Sequence, residues 1–433
     1  MTARTPRRKE TGGAQQRESR VRRTGRAASG KVEPLYPRQK RNARSRWNQI
    51  FGAVPCVGKE QWKRNRRHMN GYVFWVTVIL VLFGLAMVYS TTSFAGDNPL
   101  AGVKKQAVFA LAGLCAMLFL SRCDYHRLLC LSWCQLYALS AFLLVATLAV
   151  GRSSHGRTRW IRLGPVSFQP SELMKTALVL FFAVYLVNYY RRLSESPKRV
   201  VWMMAVFGGI PALLIAHQNL STGLLLAAMV FLITLLGVKD NRAHLGTAMA
   251  GALLVFLAVH YYKKFPFLHP YQIARIESWL NPDANANGSG FQVRLGKYAI
   301  SAGGWFGAGF GRGVIKQNGL PEPSTDFIFP VIGEELGMVG MLVLLLLYAM
   351  LLVCILQIAR DAPDRYGALL CGGVAVHILL HIVMHVAVVT GLMPNTGVTL
   401  PFISSGGTSL VSFMGEIGLV LAVSRGMRPE QLT

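Results

Sequence analysis

Acidic residues are scarce in this chain: 19 Asp and Glu stand against 46 Lys and Arg among 433 residues. Charge of either sign is thin, at 15% of residues, while 52% are hydrophobic. A soluble multidomain protein needs polar faces interspersed along its elements, and long stretches here have none. Cysteine is sparse as well, with seven residues at positions 56, 115, 123, 130, 134, 354 and 371. None lies in the two long polar loops, and there is no Cys-x-x-Cys or zinc-ligand spacing. A disulfide framework and a structural zinc site are therefore set aside, and the thiols read as ordinary core residues. No cleavable signal peptide is visible, because the first apolar run begins only near Gly71.

What the chain does have is apolar length. Ten apolar segments recur at about 71–92, 106–120, 128–150, 173–190, 200–216, 221–238, 245–261, 327–358, 366–390 and 405–424. Each spans a bilayer or nearly so, which predicts an all-α polytopic membrane protein with ten transmembrane helices. The eighth segment is over-long, so it tilts, kinks near Pro330, or starts outside the slab. Residues 1–68 hold 20 Lys and Arg against 4 Asp and Glu. This basic tail reads as disordered and cytoplasmic, a topology anchor and lipid contact before it is a partner-docking or nucleic-acid segment. Residues 69–425 form the membrane domain, and 426–433 a short cytoplasmic end. Ten crossings then put two sizeable loops on the outer side, roughly 151–170 and 262–326. Both carry cations against the usual bias, among them Arg159, Arg162, Arg275, Arg294, Lys297 and Lys316. Positive charge translocated against the topology signal suits an anionic ligand at the outer surface, with pairing to lipid headgroups as the plainer use.

Four clusters carry chemistry. The first runs Arg159-Trp160-Ile161-Arg162, then Gln169-Pro170-Ser171-Glu172 and Lys175. Pro170 suits a helix start, and Glu172 and Lys175 share a helical face. The second is the 262–326 loop, with Gly288-Ser289-Gly290-Phe291-Gln292 and the glycine-dense Gly303–Gly313. Such glycines allow close backbone approach, or merely a flexible surface loop. The third is Lys316 through Gly337, where Asp326 stands at the edge of an apolar helix as either a functional acid or a helix N-cap. Glu334 and Glu335 follow inside that helix and need a cation. Lys175 is the only one inside the apolar segments, so a Glu172–Lys175–Glu334/Glu335 network is expected. The fourth is Gly391–Gly397 and Leu400–Ser409, too rich in proline and glycine for a continuous helix. Broken backbone at membrane depth usually lines a cavity. His381 and His385 read as a polar helix face rather than a metal site.

These clusters, in this order over residues 70–425, resemble the SEDS family of cell-wall polymerases (shape, elongation, division, sporulation). The matching residues are Arg159-Trp160-Ile161, Gln169-Pro170-Ser171-Glu172 with Lys175, Leu320-Pro321-Glu322 with Thr325-Asp326-Phe327-Ile328-Phe329, Glu334-Glu335-Leu336-Gly337, and Ser404-x-Gly406-Gly407. Lys316 and Asn281-Pro282 after Tyr271 make the likeness closest to the division members. The chain departs from the family pattern at His217-Gln218-Asn219, at Ser324 and at His385.

The resemblance implies ten helices and a peptidoglycan glycosyltransferase acting on lipid II during septal wall synthesis in the bacterial cytoplasmic membrane. It implies Asp326 as an outward-facing catalytic aspartate. Arg159, Trp160, Lys316, Gln292, Glu322, Ser404 and Gly406 are expected on the substrate. A class B penicillin-binding transpeptidase and other division proteins are the implied partners, and nucleic acid is not. No cofactor is required, although a divalent Mg or Mn ion can assist a diphosphate. Asp326 is expected to act as general base on the acceptor 4-hydroxyl, with Arg159 and Lys316 on the departing diphosphate. The rival readings are a lipid II flippase, an elongation or sporulation member, and a non-catalytic scaffold.

Overall fold

Long apolar runs in hydrocarbon leave the backbone no hydrogen-bond partner but itself, and these runs form helices. The computed structural model describes residues 69–93, 100–150, 152–154, 157–163, 166–239, 241–264, 270–281, 289–317 and 319–426. The basic tail, 1–68, and residues 427–433 lie outside the described residues. The longer helices are α1 (Gly71–Thr92), α2 (Leu100–Arg122), α3 (Tyr125–Val150), α4 (Pro170–Asn188), α5 (Pro197–Gln218), α6 (Leu220–Gly237), α7 (Arg242–His260), α8 (Pro270–Leu280), α9 (Ser289–Gly303), α10 (Ile328–Arg360), α11 (Arg365–Val389) and α12 (Gly407–Ser424). Among the described residues nine are long and apolar enough to cross a membrane, and α3 carries a shorter apolar stretch, Trp133–Thr147. The chain is thus a mostly helical polytopic membrane protein.

Local chemistry sets the ends. Asn70 caps α1 by accepting the Val73 N–H at 3.2 Å, and Asp364 caps α11 by accepting that of Gly367 at 2.7 Å. Pro170 opens α4, with Glu172 in its first turn. Inside α5 a π-helical turn occupies Met204–Gly209. Pro211 has no N–H to offer the Phe207 carbonyl four residues back, and that carbonyl accepts the Tyr137 hydroxyl at 2.9 Å instead.

Helix α4 is the most buried span and α7 the least. Around α4, Phe181 stacks among Trp133, Tyr137, Tyr185 and Phe207. Helices α11 and α12 complete the interior beside it.

Three features depart from the sequence reading. The 151–169 segment is not plain loop: β1 (Arg152–Ser154), β2 (Arg157–Leu163) and β3 (Val166–Phe168) form an antiparallel sheet in the order β1-β2-β3. Arg152 pairs with Trp160, and Ile161 with Phe168. The long loop before α10 contains the helices α8 and α9. The break in α10 falls at Gly337 (φ 69, ψ −168), not at Pro330. A proline in the first turn of a helix lacks only an N–H that is free there anyway, so Pro330 is tolerated.

The break is closed by the glycine segment after α9. Ala308 and Gly309 donate their N–H groups to the carbonyls of Glu334 and Glu335, at 2.9 and 3.0 Å. Met338 and Val339 donate theirs to Gly304 and Trp305, at 2.9 and 3.1 Å. A Cβ on Gly307 would stand 2.1 Å from the Glu335 carbonyl oxygen. The glycines therefore serve close approach to the chain's own helix.

Candidate functional site

The segment before α10 is a tight turn held from both ends. Glu322 takes a left-handed conformation (φ 51), and its carbonyl accepts the N–H groups of Thr325 and Phe327. Its carboxylate accepts the Thr325 hydroxyl at 2.9 Å. The turn delivers Asp326, half-buried, to the start of α10. The residue at the N-cap position of α10 is Phe327, with no side-chain capping bond. Asp326 stands one residue before that position.

The broken segment 395–406 crosses this turn. Ser405 donates its N–H to the Ser324 carbonyl at 2.8 Å. Ser404 donates its hydroxyl to the Thr325 carbonyl at 2.6 Å and accepts the Leu400 N–H at 2.9 Å. Gly397 (φ 69) lies directly against Asp326, and a methyl group there would sit 3.1 Å from Asp326 Oδ2. From α9, Gln292 accepts the Asn395 amide at 2.7 Å and donates to the Pro321 carbonyl at 3.0 Å. It ties the two segments together.

Arg275, on α8, completes the surroundings. Its Nη1 donates to the Asn395 carbonyl at 2.8 Å, and the guanidinium lies 4.4 Å from the Tyr271 ring centre. Burial pulls its pKa below the ordinary arginine value, while Tyr271 and the charge of Asp326 oppose that shift. Its Nε is buried without a partner. A permanent cation thus stands in the field of Asp326 with one donor unspent.

The buried acids behind this site divide into two groups where the sequence suggests one. Lys175 bonds Glu172 at 2.8 Å and His381 Nε2 at 2.8 Å. Glu335 takes its cation from elsewhere: Lys316, whose side chain is 1% exposed, gives its ammonium to Glu335. The same ammonium bonds the hydroxyl of Ser90 at 2.7 Å. Glu334 accepts the N–H of Ile315 at 2.7 Å, and Glu335 that of Gly311 at 3.0 Å. The network splits because the glycine segment carries Lys316 into the protein, which the loop's polarity does not announce.

Of the residues expected on the substrate, Lys316 is thereby committed to an internal ion pair. Ser404 is buried, and both its hydroxyl bonds go to the backbone. Gln292 and Glu322 shape the Asp326 turn, and Gly406 is the N-cap position of α12. Trp160 is half-buried on β2. Arg159 lies on β2 too, and its side chain is outside the described residues. No cluster of three or more His, Cys, Asp or Glu side chains suited to a metal ion occurs among the described residues.

A model of the cell cycle protein family of FtsW, RodA and SpoVE matches residues 71–428. The chain belongs to this family. Stage V sporulation protein E of Bacillus subtilis is 35% identical over 363 residues, covering 82% of this chain and 96% of that one. A probable peptidoglycan glycosyltransferase FtsW of Trichlorobacter lovleyi is 36% identical over 366 residues, covering 83% and 93%. Among solved structures, one chain described under structural coordination of polymerization and crosslinking by a peptidoglycan synthase complex is 31% identical. Its TM-score is 0.66 over 82% of this chain and 98% of that one. The rod shape determining protein RodA of Thermus thermophilus is 26% identical, with TM-score 0.59 over 82% and 97%.

Within this SEDS chain the residue that sequence reasoning passed over is Arg275. It counts there as one of several loop cations, because nothing local shows that α8 brings its charge within range of Asp326. Gly397 is visible in its Pro-Asn-Thr-Gly run, but its contact with Asp326, 71 positions earlier in the chain, is a product of the fold.

Proposed function

We propose that this chain is a peptidoglycan glycosyltransferase that polymerises lipid II. The observation that carries the reading is the setting of Asp326. Its carboxylate is pressed against Gly397 and lies in the field of the Arg275 guanidinium charge. An acid held in one place can take the proton of a hydroxyl brought within hydrogen-bond reach. The names of the FtsW relatives and the peptidoglycan synthase complex supply the substrate class.

In this reading the 4-hydroxyl of the acceptor N-acetylglucosamine gives its proton to Asp326 as its oxygen attacks the donor anomeric carbon. The bond from that carbon to the lipid diphosphate breaks, and a single displacement turns an α-linked donor into a β-1,4 glycan. Arg159, on the outer sheet, is the cation assigned to the diphosphate. Lys316, held by Glu335, is not available to it, and Arg275 adds its charge to the field at Asp326. The chain crosses the cytoplasmic membrane ten times, α3 included, with both ends in the cytoplasm and Asp326 on the outer face. It works at the division septum with a class B penicillin-binding transpeptidase. A divalent ion such as Mg or Mn would supply further charge stabilisation to the departing diphosphate.

The test is polymerisation of lipid II in detergent by the purified complex with its transpeptidase. Asp326→Asn is expected to lower the rate by about a hundredfold or more, the range of a lost general base. Wild type without polymer, as a pure flippase or scaffold would give, or equal rates in the two proteins, would overturn the reading.

A further inference from the structure

Helix α11 turns His381 and His385 into the protein, where they are 2% and 1% exposed. Each ring bonds the same short stretch of backbone. His381 Nδ1 meets the Thr399 carbonyl at 3.1 Å, and His385 Nδ1 meets the Val398 carbonyl at 2.8 Å. A carbonyl only accepts, so both Nδ1 atoms carry the hydrogen. His381 Nε2 lies 2.8 Å from the Lys175 ammonium, which only donates, so that nitrogen carries the lone pair. Lys175 is in turn bonded to Glu172. His381 is therefore the neutral Nδ1–H tautomer. His385 Nε2 has no hydrogen-bond partner, so Nδ1 makes that ring's one hydrogen bond, beside an edge-on contact with Phe329 at 6.5 Å between ring centres.

The two carbonyls follow directly after Gly397, the residue against Asp326. On the other side of Gly397, Arg275 holds the Asn395 carbonyl. The stretch 395–399 has no helical or sheet bonds of its own, so these side chains take the place of a ladder. Their chain of contacts runs from Glu172 through Lys175 and His381 to Thr399.

We infer that His381 and His385 are positioning residues: as Nδ1–H donors they fix the 397–399 backbone, and with it the wall against which Asp326 rests. This rests on the reading of Asp326 as the general base. The donor matters rather than the ring. An asparagine places its amide nitrogen close to where Nδ1 stands, and lacks Nε2. His385→Asn is therefore expected to keep activity, because Nε2 there is idle. His381→Asn keeps the bond to Thr399 but leaves Lys175 one partner short. His385→Leu removes the donor from a buried carbonyl and is expected to lower kcat about tenfold, the effect of one lost hydrogen bond. KM stays within about twofold, since no substrate contact is touched.

The experiment measures two things on the detergent-purified full chain with its transpeptidase. One is lipid II polymerisation, as kcat and KM. The other is amide hydrogen exchange of the peptide covering 395–400, with the α1 peptide as control. Faster exchange at 395–400 alone in His385→Leu, lower kcat, and recovery of both in His385→Asn support the inference. Unchanged exchange in His385→Leu overturns it. So does faster exchange with unchanged kcat, or failure of His385→Asn to recover either quantity. A leucine variant that does not fold moves the decision to His385→Asn, which must match wild type in both measurements, and a mismatch overturns the inference. If wild type makes no polymer, the function reading fails by itself, and the exchange data still decide whether the histidines hold the segment.

Discussion

Asp326 and Gly397 show how much one missing side chain decides. Gly397 adopts φ 69, where any other residue is strained, and it leaves just enough room for the Asp326 carboxylate. Gly397→Ala adds a methyl group 3.1 Å from Oδ2 and forces a left-handed alanine costing about 1–2 kcal/mol. The membrane domain withstands that cost, but the base is displaced. Polymerisation is expected to fall at least tenfold while thermal melting drops only a few degrees. A rate equal to wild type would show that the Gly397 contact does not set the position of Asp326. The sequence marks both residues as unusual, but not as neighbours.

At the scale of elements, the broken helix α10 and the glycine segment 303–309 form one unit. Gly337 has φ and ψ that only glycine adopts without strain. A Cβ there would also stand 2.5 Å from the backbone of Trp305 and Gly307. The break turns Glu334 and Glu335 toward the N–H groups of Gly311 and Ile315 and the ammonium of Lys316. Gly337→Ala is therefore expected to cost more than about 4 kcal/mol, in the range of strained and overpacked sites. Gly304→Ala, at positive φ but with open space around its Cβ position, is expected to cost about 1–2 kcal/mol. Thermal unfolding of the two variants in one detergent checks the difference, and equal melting points would contradict it.

At the scale of the whole molecule, the turn between α2 and α3 is tied to the turn between α10 and α11. His126 lies between two carboxylates, with Nδ1 3.2 Å from Asp124 and Nε2 2.6 Å from Asp364. Both nitrogens face acceptors, so both carry hydrogens and the ring is an imidazolium. Burial opposes that charge, but the hydrogen bonds and charges of Asp124 and Asp364 outweigh it and raise the pKa to about 9. Burial likewise disfavours the Asp364 carboxylate, and its bonds from His126, Tyr125 and the Gly367 N–H overcome this and hold its pKa below the usual value. The raised histidine contributes its full stability below its unfolded pKa of about 6.5 and loses it as pH rises through about 9, at most on the order of 3 kcal/mol. The lowered Asp364 contributes above its ordinary range and loses that only in acid. Melting curves of wild type and His126→Gln should therefore differ most near pH 6 and converge above about pH 9. A gap that stays constant across that range would count against the imidazolium.

The apolar runs alone determined the class of fold, because a backbone in hydrocarbon has few solutions and a helix is the local one. Pro170 placed the start of α4, and helical spacing placed the ionic pair of Glu172 with Lys175, three residues apart on one helix. Asp326 stood out by its cost, which needs no neighbours to reckon. The tertiary structure alone decided which partners the other polar groups take. Lys316 goes to Glu335, Arg275 to the Asn395 carbonyl, and the α11 histidines to the carbonyls after Gly397. Each of these contacts joins segments distant in the chain. Hydropathy and helical period describe neighbours along the sequence, and they carry no information about which loop a broken helix will draw in to satisfy its backbone.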